Sequence, residues 1–328
     1  MLSTLFARNW STRNVITTVT LNPAIDEAVT IDEFRAGSKN RCTLENLDPG
    51  GKGINASRVI QRLGGKTIAL GFIGGVTGQL LRARLDEERV LHAFDHVDEA
   101  TRINVMIYER TNGRRTRMYL DGPYVPAEKV ASLRTRLAQL PPKSLVVLGG
   151  SVPPGLPSSI YADIVCDLHE RGSDAIVDTS GAALEAVLES RPLLIKPNAE
   201  EAAEVLGRSL SDDDEILAAA KELSRRGARN VVISLGEDGA IGVGEQGGWK
   251  ALPPRVSART TVGAGDSMVA GLAIAFDDGL GLREGLRLGT AAGAATVTSS
   301  GTQLCSAKDV EAFLPLVRVE SMQILSKI

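Results

Sequence analysis

The chain has 328 residues, 43% of them hydrophobic, and a net charge of −3 from 37 basic and 40 acidic side chains. That length buries a large core in one large domain or two medium ones, and the mild acidity, without a basic stripe, argues against a nucleic-acid partner. Three widely spaced cysteines (Cys42, Cys166, Cys305) with no C-x-x-C point to a reducing, cytoplasmic setting without a zinc site, and no apolar run is long and glycine-poor enough for a membrane span.

The chain begins MLSTLFARNWSTRN, with two arginines but no apolar stretch of signal-peptide length, so residues 1–14 are expected to be a disordered extension. NVITTVTL (14–21) and KTIALGFIG (66–74) read as core strands, with a helix near 53–63 between them. EAVTIDEF (27–34), RCTLENL (41–47), TRINVMIYER (101–110) and RRTRMYL (114–120) alternate with period two, as half-buried strands of a small separate sheet do; TNG at 111–113 is the hairpin turn between the last two. This small sheet is expected to be a lid or dimerisation sheet built from insertions near 27–48 and 100–122.

From about residue 140 the pattern changes to short apolar strands separated by helices. Strands are expected at 144–150, 175–181, 193–198 and 230–236, with helices near 157–171, 181–188, 199–206 and 212–226. This alternation predicts a parallel sheet covered on both faces, with its ligand site beyond the carboxyl ends of the strands.

Two glycine motifs lead nowhere. GGKT (64–67) lacks the first glycine of a P-loop, whose place is taken by Ile60, and GVGEQG (242–247) runs into GWKALPP rather than a helix, as a hairpin tip would. Only three histidines exist, none in a Gly-rich or turn context, which argues against His-dependent nucleophilic chemistry.

Other segments carry chemistry beside a plainer alternative. PGGKGINASRVIQRLGG (49–65) leads through Gly51 and Lys52 into a helix with Asn55 in its first turn; it is either a polar-ligand loop or a flexible turn. In TLNPAID (20–26), Asp26 at the end of a core strand either accepts sugar hydroxyls or caps a turn. Arg102 and Asn104 share one face of a strand, and the guanidinium fork suits a phosphate or a surface ion pair. In KPNAEE (196–201), Asn198 and Glu201 form a helix capping box, hold water on Mg²⁺, or do both. RTTVGAGDSMVAGLAIAF (259–276) places Asp266 behind Gly263, Ala264 and Gly265 at the start of an apolar helix. A carboxylate beside the free N–H groups of a helix N-terminus is the arrangement a base needs when a hydroxyl attacks a bound anion.

Taken together, TLNPAID, GGKGIN, TRIN, GGSVPPG (149–155), VDTSGAAL (177–184), KPNAEE, VVISLGEDGA and TTVGAGDSMVAG, in this order over residues 15 to about 310, resemble the PfkB group of ribokinase-like sugar kinases. The resemblance implies a single three-layer α/β/α domain over 15–328, with a mostly parallel sheet and a β-lid that pairs subunits into a homodimer. It implies that Asp266 is the catalytic base and that Gly263, Ala264 and Gly265 form the anion hole for the γ-phosphate. Lys196 and Asn198 lie near the ATP phosphates, Glu201 near Mg²⁺ through water, and Ser234, Gly236 and Gly239 in the nucleotide loop. Asp26, Gly51, Lys52, Asn55, Arg102, Asn104 and Ser151 fall on the side of a phosphorylated ketohexose. Thr260, Val262, Thr296, Ser299, Gly301 and Gln303 match a potassium site, although Gln303 replaces an Arg and Ser299 an Asn of the nearest pattern. Lys39 matches part of a second, inhibitory ATP site, but Arg35 stands where an aromatic residue is usual.

TLNPAID with TR-x-N marks the phosphosugar branch, whose members act on fructose 6-phosphate, fructose 1-phosphate or tagatose 6-phosphate. RCTLENLDPGG (41–51), RRTRMYLDGP (114–123) and GTQLCSAKD (301–309) look most like the minor bacterial 6-phosphofructokinase, so fructose 6-phosphate is the expected acceptor. A sugar-phosphate-binding regulator on the same fold is the non-enzymatic alternative.

Overall fold

Residues 14–322 are described by a computed structural model of the chain. The expected extension over 1–14 lies outside them except for Asn14. Ten strands form the main sheet. Their order is β14 (Arg318–Met322), β13 (Gly247–Leu252), β12 (Ala240–Gly244), β11 (Val231–Ser234), β10 (Leu194–Ile195), β9 (Asp174–Asp178), β8 (Leu145–Gly149), β1 (Val15–Thr20), β4 (Lys66–Ile73) and β5 (Leu91–His96). Pairing is parallel from β5 to β11 and antiparallel from β11 to β14. The sequence neighbours of β1 run to one side and the later strands to the other. The crevice beyond β1 and β8 is therefore a topological switch point, where open α/β sheets bind ligands.

Both faces of the sheet are covered, which is why its strands read as apolar runs; every residue of β8 is buried. On one face α3 (Ala127–Leu137), α4 (Ile160–His169), α5 (Gly181–Glu189) and α7 (Asp213–Arg225) pack through Leu133, Ile164, Leu184 and Leu223. On the other, α1 (Lys52–Arg62), α8 (Ala264–Asp277), α9 (Gly281–Val297) and α10 (Ala307–Phe313) pack through Val59, Leu272, Leu286 and Val310. The fold is thus a mixed α/β fold of three layers, and α2 (Gly75–Glu87) and α6 (Ala199–Leu206) complete it.

A second sheet has the order β3 (Thr43–Gly50), β2 (Ala24–Ile31), β6 (Arg102–Glu109) and β7 (Arg115–Met118), with β2 and β6 parallel. One expectation needs correcting here. Asp26 does not end the core strand. β1 stops at Thr20, Pro23 offers no N–H to continue its ladder, and Ala24 already belongs to the second sheet, so Asp26 is a strand-interior residue of β2. The strand expected at 27–34 accordingly starts three residues earlier, and the one expected at 114–120 is confined to 115–118. Helix 157–171 shortens to 160–169, because Pro157 opens a turn whose carbonyl accepts from Ile160 N.

Some elements have no counterpart in the sequence reading. β5 is a half-exposed edge strand without alternation, and α2 buries only Gly78, Leu81 and Leu85. α9 is rich in glycine and alanine, and these small residues let it approach α8 closely. A Cβ placed on Gly271 would lie 2.6 Å from Gly289 Cα. Gly271→Val is expected to cost about 1–3 kcal/mol through overpacking, read as a lower urea midpoint at unchanged m-value.

Candidate active site

Helix α8 is buried all round from Ser267 to Ala275, so only its N-terminus reaches the crevice. Gly263 caps it at φ +76°, a left-handed conformation that costs a side chain dearly, and Asp266 stands in the first turn. Asp266 Oδ2 accepts a 2.7 Å hydrogen bond from Asn55 Nδ2. Burial first, and then the negative charge of Asp178, push the Asp266 carboxyl up to about 6, against the pull of Asn55, Lys52 and Lys196. A carboxylate poised there is still mostly ionised at neutral pH, yet holds a proton far better than an ordinary aspartate, and is suited to take one.

Two lysines enter beside it. Lys52 opens α1, where Gly51 holds φ +116° and Gly53 is so close to β1 that a Cβ would lie 2.6 Å from Thr20 Oγ1. That same hydroxyl accepts from Ile54 N at 2.9 Å, which fixes the helix start over the end of β1. Lys52 Nζ lies 2.7 Å from Asp178 Oδ1 and 3.7 Å from Glu201 Oε1. Lys196 Nζ is 3.3 Å from Asp178 Oδ2 and 3.4 Å from where a Cβ of Gly265 would be. Burial opposes both charges of the Lys52–Asp178 pair, yet the pairing prevails: the Lys52 ammonium is raised and the Asp178 carboxyl lowered from their ordinary values. Lys52 therefore stands at the N-terminus of α1, facing Asp178 of β9 and Glu201 of α6. Asp178 itself was missed by sequence reasoning. Its only signal is an acid ending an apolar strand in AIVDTSG, and its partner Lys52 is 126 positions away.

Asn198 and Glu201 form a reciprocal capping box, each accepting from the other's backbone N–H at 2.8 Å. This uses Oε2 of Glu201 and leaves Oε1 toward Lys52. Asn198 also bridges to Ser234, and with Ser234, Leu235 and Gly236 it lines a cleft of about 460 Å³ whose far wall holds Asp212 and Ile216. Gly239 lies behind that cleft, turning the chain at φ +89° into β12.

On the opposite side, Asp26 is buried in β2, accepts from Asn104 Nδ2 at 2.8 Å, and packs against Gly50 with no room for a Cβ there. Burial raises its carboxyl, against Asn104 and Arg102. Both Nη atoms of Arg102 donate to carbonyls, Leu120 at 2.7 Å and Asn22 at 3.0 Å, so the fork holds the chain segment after β7. Asn22 Nδ2 donates to Asp121 O at 2.7 Å and to Ser151 Oγ at 3.1 Å. Three buried polar atoms here, Arg102 Nε, Asn104 Oδ1 and Asn22 Oδ1, have no partner. Orphaned donors and acceptors gathered beside one buried carboxylate are what a polyhydroxylated ligand would satisfy. Asn22, hidden within TLNPAID, is a second residue the sequence reading passed over.

The remaining residues lie around α8. Val297 O accepts from Arg259 N and Thr260 N, bringing the 259–262 loop to the end of α9. Thr260 Oγ1 accepts from Val262 N, Thr296 O from Ser299 N, and Thr296 Oγ1 pairs with Ser267 Oγ at 2.7 Å. Gly301 and Thr302 touch β3, at Asn46 and Asp48. From β7, Arg117 donates to Thr261 Oγ1 at 2.7 Å and Arg115 to Arg259 O.

Among the described residues no three His, Cys, Asp or Glu side chains converge as a metal cage. The chemistry present instead fits Mg²⁺ held through water and substrate phosphates, with Glu201 Oε1 as the carboxylate oxygen free of the capping box.

Two lysines beside a helix N-terminus that carries a carboxylate in its first turn form an arrangement suited to phosphoryl transfer. Residues 19–309 match the pfkB family carbohydrate kinase, and the chain belongs to that family of sugar kinases. It is 36% identical to the 1-phosphofructokinase of Borreliella burgdorferi over 94% of this chain and 99% of that protein. It is 35% identical to the ATP-dependent 6-phosphofructokinase isozyme 2 of Escherichia coli over 90% of this chain and 96% of that one. The structure of Escherichia coli phosphofructokinase-2 in complex with potassium superposes with a TM-score of 0.88 at 34% identity, covering 92% of this chain and 98% of that chain. Phosphofructokinase is the activity these relatives share by name.

Two outcomes are expected of the base. The acid limb of kcat/KM falls below about pH 6 as Asp266 protonates. Asp266→Asn abolishes that limb and lowers kcat roughly a hundredfold or more. Because the carboxyl is raised on folding, its ionised form opposes folding at neutral pH. The same variant should then unfold at equal or higher denaturant, by on the order of 1 kcal/mol.

Proposed function

We propose that the chain transfers the γ-phosphoryl group of ATP to the C1 hydroxyl of fructose 6-phosphate, giving fructose 1,6-bisphosphate and ADP. The observation that carries the reaction is the position of Asp266, inside the first turn of α8 between Asn55 and the lysine pair. The C1 oxygen attacks the γ-phosphorus, its proton passes to Asp266, and the bond to the β-phosphate oxygen breaks. The N–H groups of Gly263, Ala264 and Gly265 receive the transferring group, and Lys52 and Lys196 supply positive charge. Mg²⁺, when bound, neutralises the phosphate oxygens, with Glu201 holding its water. Ser234, Gly236 and Asn198 line the nucleotide cleft. A potassium ion beside the anion hole, on carbonyls of Thr260, Val262, Thr296, Ser299 and Gly301, is part of the same reading.

Choosing the acceptor is harder than choosing the reaction, for a chemical reason. Fructose 6-phosphate and fructose 1-phosphate both present a phosphate at one end of a furanose and a primary hydroxyl at the other, and both yield the same bisphosphate. A site that reads only the two ends therefore accepts either. What separates them is the ring hydroxyl pattern against Asp26, Asn104 and Asn22. The 6-phosphate is favoured by two stretches that look most like the minor 6-phosphofructokinase, 41–51 and 301–309, which contact each other through Asp48 and Thr302 beside the site. 1-Phosphofructokinase and tagatose-6-phosphate kinase activity are the alternatives. A binding-only regulator is disfavoured, since it has no need of a base with a raised pKa. We read the second sheet as the lid and as the surface of a homodimer, because Leu44, Tyr108 and Met118 are exposed on it. The free cysteines fit a cytoplasmic protein.

The test is coupled ADP release with MgATP against fructose 6-phosphate, fructose 1-phosphate and tagatose 6-phosphate. Fructose 6-phosphate is expected to give the highest kcat/KM by tenfold or more. A higher value with either other sugar phosphate replaces the acceptor and keeps the mechanism, whereas no turnover with any of them points to another acceptor or to the binding-only regulator.

A further inference from the structure

Among the described residues Arg58 is the largest fully buried side chain, at 2% exposure, and nothing in the phosphoryl-transfer scheme accounts for it. It sits one helical turn after Asn55 on α1. Its Nε and Nη2 hold Glu88, just beyond the end of α2, at 2.6 to 3.0 Å, and Asp48 of β3 lies 3.5 Å away. Its Nη1 is turned the other way, donating to Pro49 O at 3.0 Å and to Asn55 Oδ1 at 3.4 Å.

These last two contacts fall on the two points where α1 and its loop meet the site. Pro49 precedes Gly50, which packs on Asp26; Asn55 donates to the base. An asparagine amide has a donor end and an acceptor end, and reversing it beside a carboxylate would set oxygen against oxygen. Arg58 adds the complementary bias: a guanidinium on the acceptor side makes the reversed amide, with its N–H groups facing a cation, unfavourable from both ends. The orientation so fixed directs one Nδ2 hydrogen to Asp266 and leaves the second for a ligand.

We propose that Arg58 is a positioning residue for phosphoryl transfer, locking the Asn55 amide so that it bridges the base and the oxygen of the attacking hydroxyl. The inference rests on the reading of Asp266 as base. A buried arginine that merely closed the core would need only Glu88. Here Glu88 keeps Arg62 as a second partner at 3.1 Å, and Asp48 keeps Thr302. Removing Arg58 therefore leaves neither acid without a partner.

The experiment is a double-mutant cycle of Arg58→Met and Asn55→Ala, assayed with whichever sugar phosphate the wild type turns over fastest, below the unfolding temperature of every variant. Arg58→Met is expected to lower kcat about tenfold or more with KM for MgATP within about twofold of wild type. In the Asn55→Ala background it is expected to cost little further, because its target has gone. Unchanged kcat in Arg58→Met, or losses that multiply in the double variant, would overturn the proposal. Arg58→Lys, which retains the buried charge and its Glu88 partner but cannot also reach Pro49 and Asn55, covers the case in which Arg58→Met fails to fold. A kcat reduced at normal stability supports the proposal, and a wild-type kcat defeats it. Asp266→Asn run in parallel separates the two readings: if it remains active the base assignment fails, and if it is inactive while both Arg58 variants are normal, only the role of Arg58 fails.

Discussion

Asp178 is buried at the carboxyl end of β9, and its two oxygens face two lysines from different elements. A carboxylate taken out of water demands compensation, and a lone one would be protonated. Lys52 from the first turn of α1 and Lys196 from the end of β10 supply it from opposite sides. The glycines around Lys52 follow from this demand. Reaching Asp178 from α1 requires the helix to begin pressed against β1 and β8, and only residues without a Cβ fit at 53 and 149. The same lysines are thereby fixed beside the first turn of α8, where their positive charge suits an anion.

That arrangement divides the crevice by charge. On the α8 side lie N–H groups, two ammonium groups and one carboxylate with a raised pKa. On the side of the second sheet lie the Asp26 carboxyl and, each with a buried polar atom lacking a partner, Asn104, Asn22 and the Arg102 guanidinium. A ligand with a phosphate cluster at one end and hydroxyls at the other is complementary to this division. Arg115 and Arg117 of β7 cross the gap to the 259–261 loop just before α8, so the second sheet and the N-terminus of α8 are mechanically joined.

Much of this was legible in the sequence because it is local. A helix N-terminus preceded by glycines, with an acid in its first turn, is readable within the eight residues Arg259–Asp266. The Asn198–Glu201 capping box is readable within four, and the structure contains it. The presence of the central strands and their parallel pairing followed from their runs of buried apolar residues. What escaped was non-local or unpatterned. The pairing of Lys52 with Asp178, and of Arg58 with Glu88, joins positions 126 and 30 apart, which no periodicity encodes. Arg102 carried a forked donor suited to phosphate, but its fork is spent on two backbone carbonyls, a use visible only once the chain after β7 is placed. Asp26 was assigned to the wrong sheet because Pro23 reads equally well as the end of a strand and as the break between two.

Desolvating the base is opposed to stability, and the charges around it settle the balance. Folding raises the Asp266 carboxyl from its ordinary value near 3.8 to about 6, so its contribution is fully favourable at low pH and is lost as pH rises through that interval. Asp178 behaves oppositely: its folded pKa is depressed by the lysines, so its contribution is present above the ordinary carboxylate range and disappears as pH falls through the lowered value. The two acids are coupled, since the ionised Asp178 is itself the second cause of the rise at Asp266. Neutralising Asp178 would thus lower the base's pKa and release both lysines, whereas keeping it charged holds the cations in place and the base near neutrality. Burial is the first cause of the rise at Asp266, and the charge on Asp178 adds to it while holding the lysines in place. This is why the protein commits two lysines to a residue that, in this scheme, never meets the transferred proton.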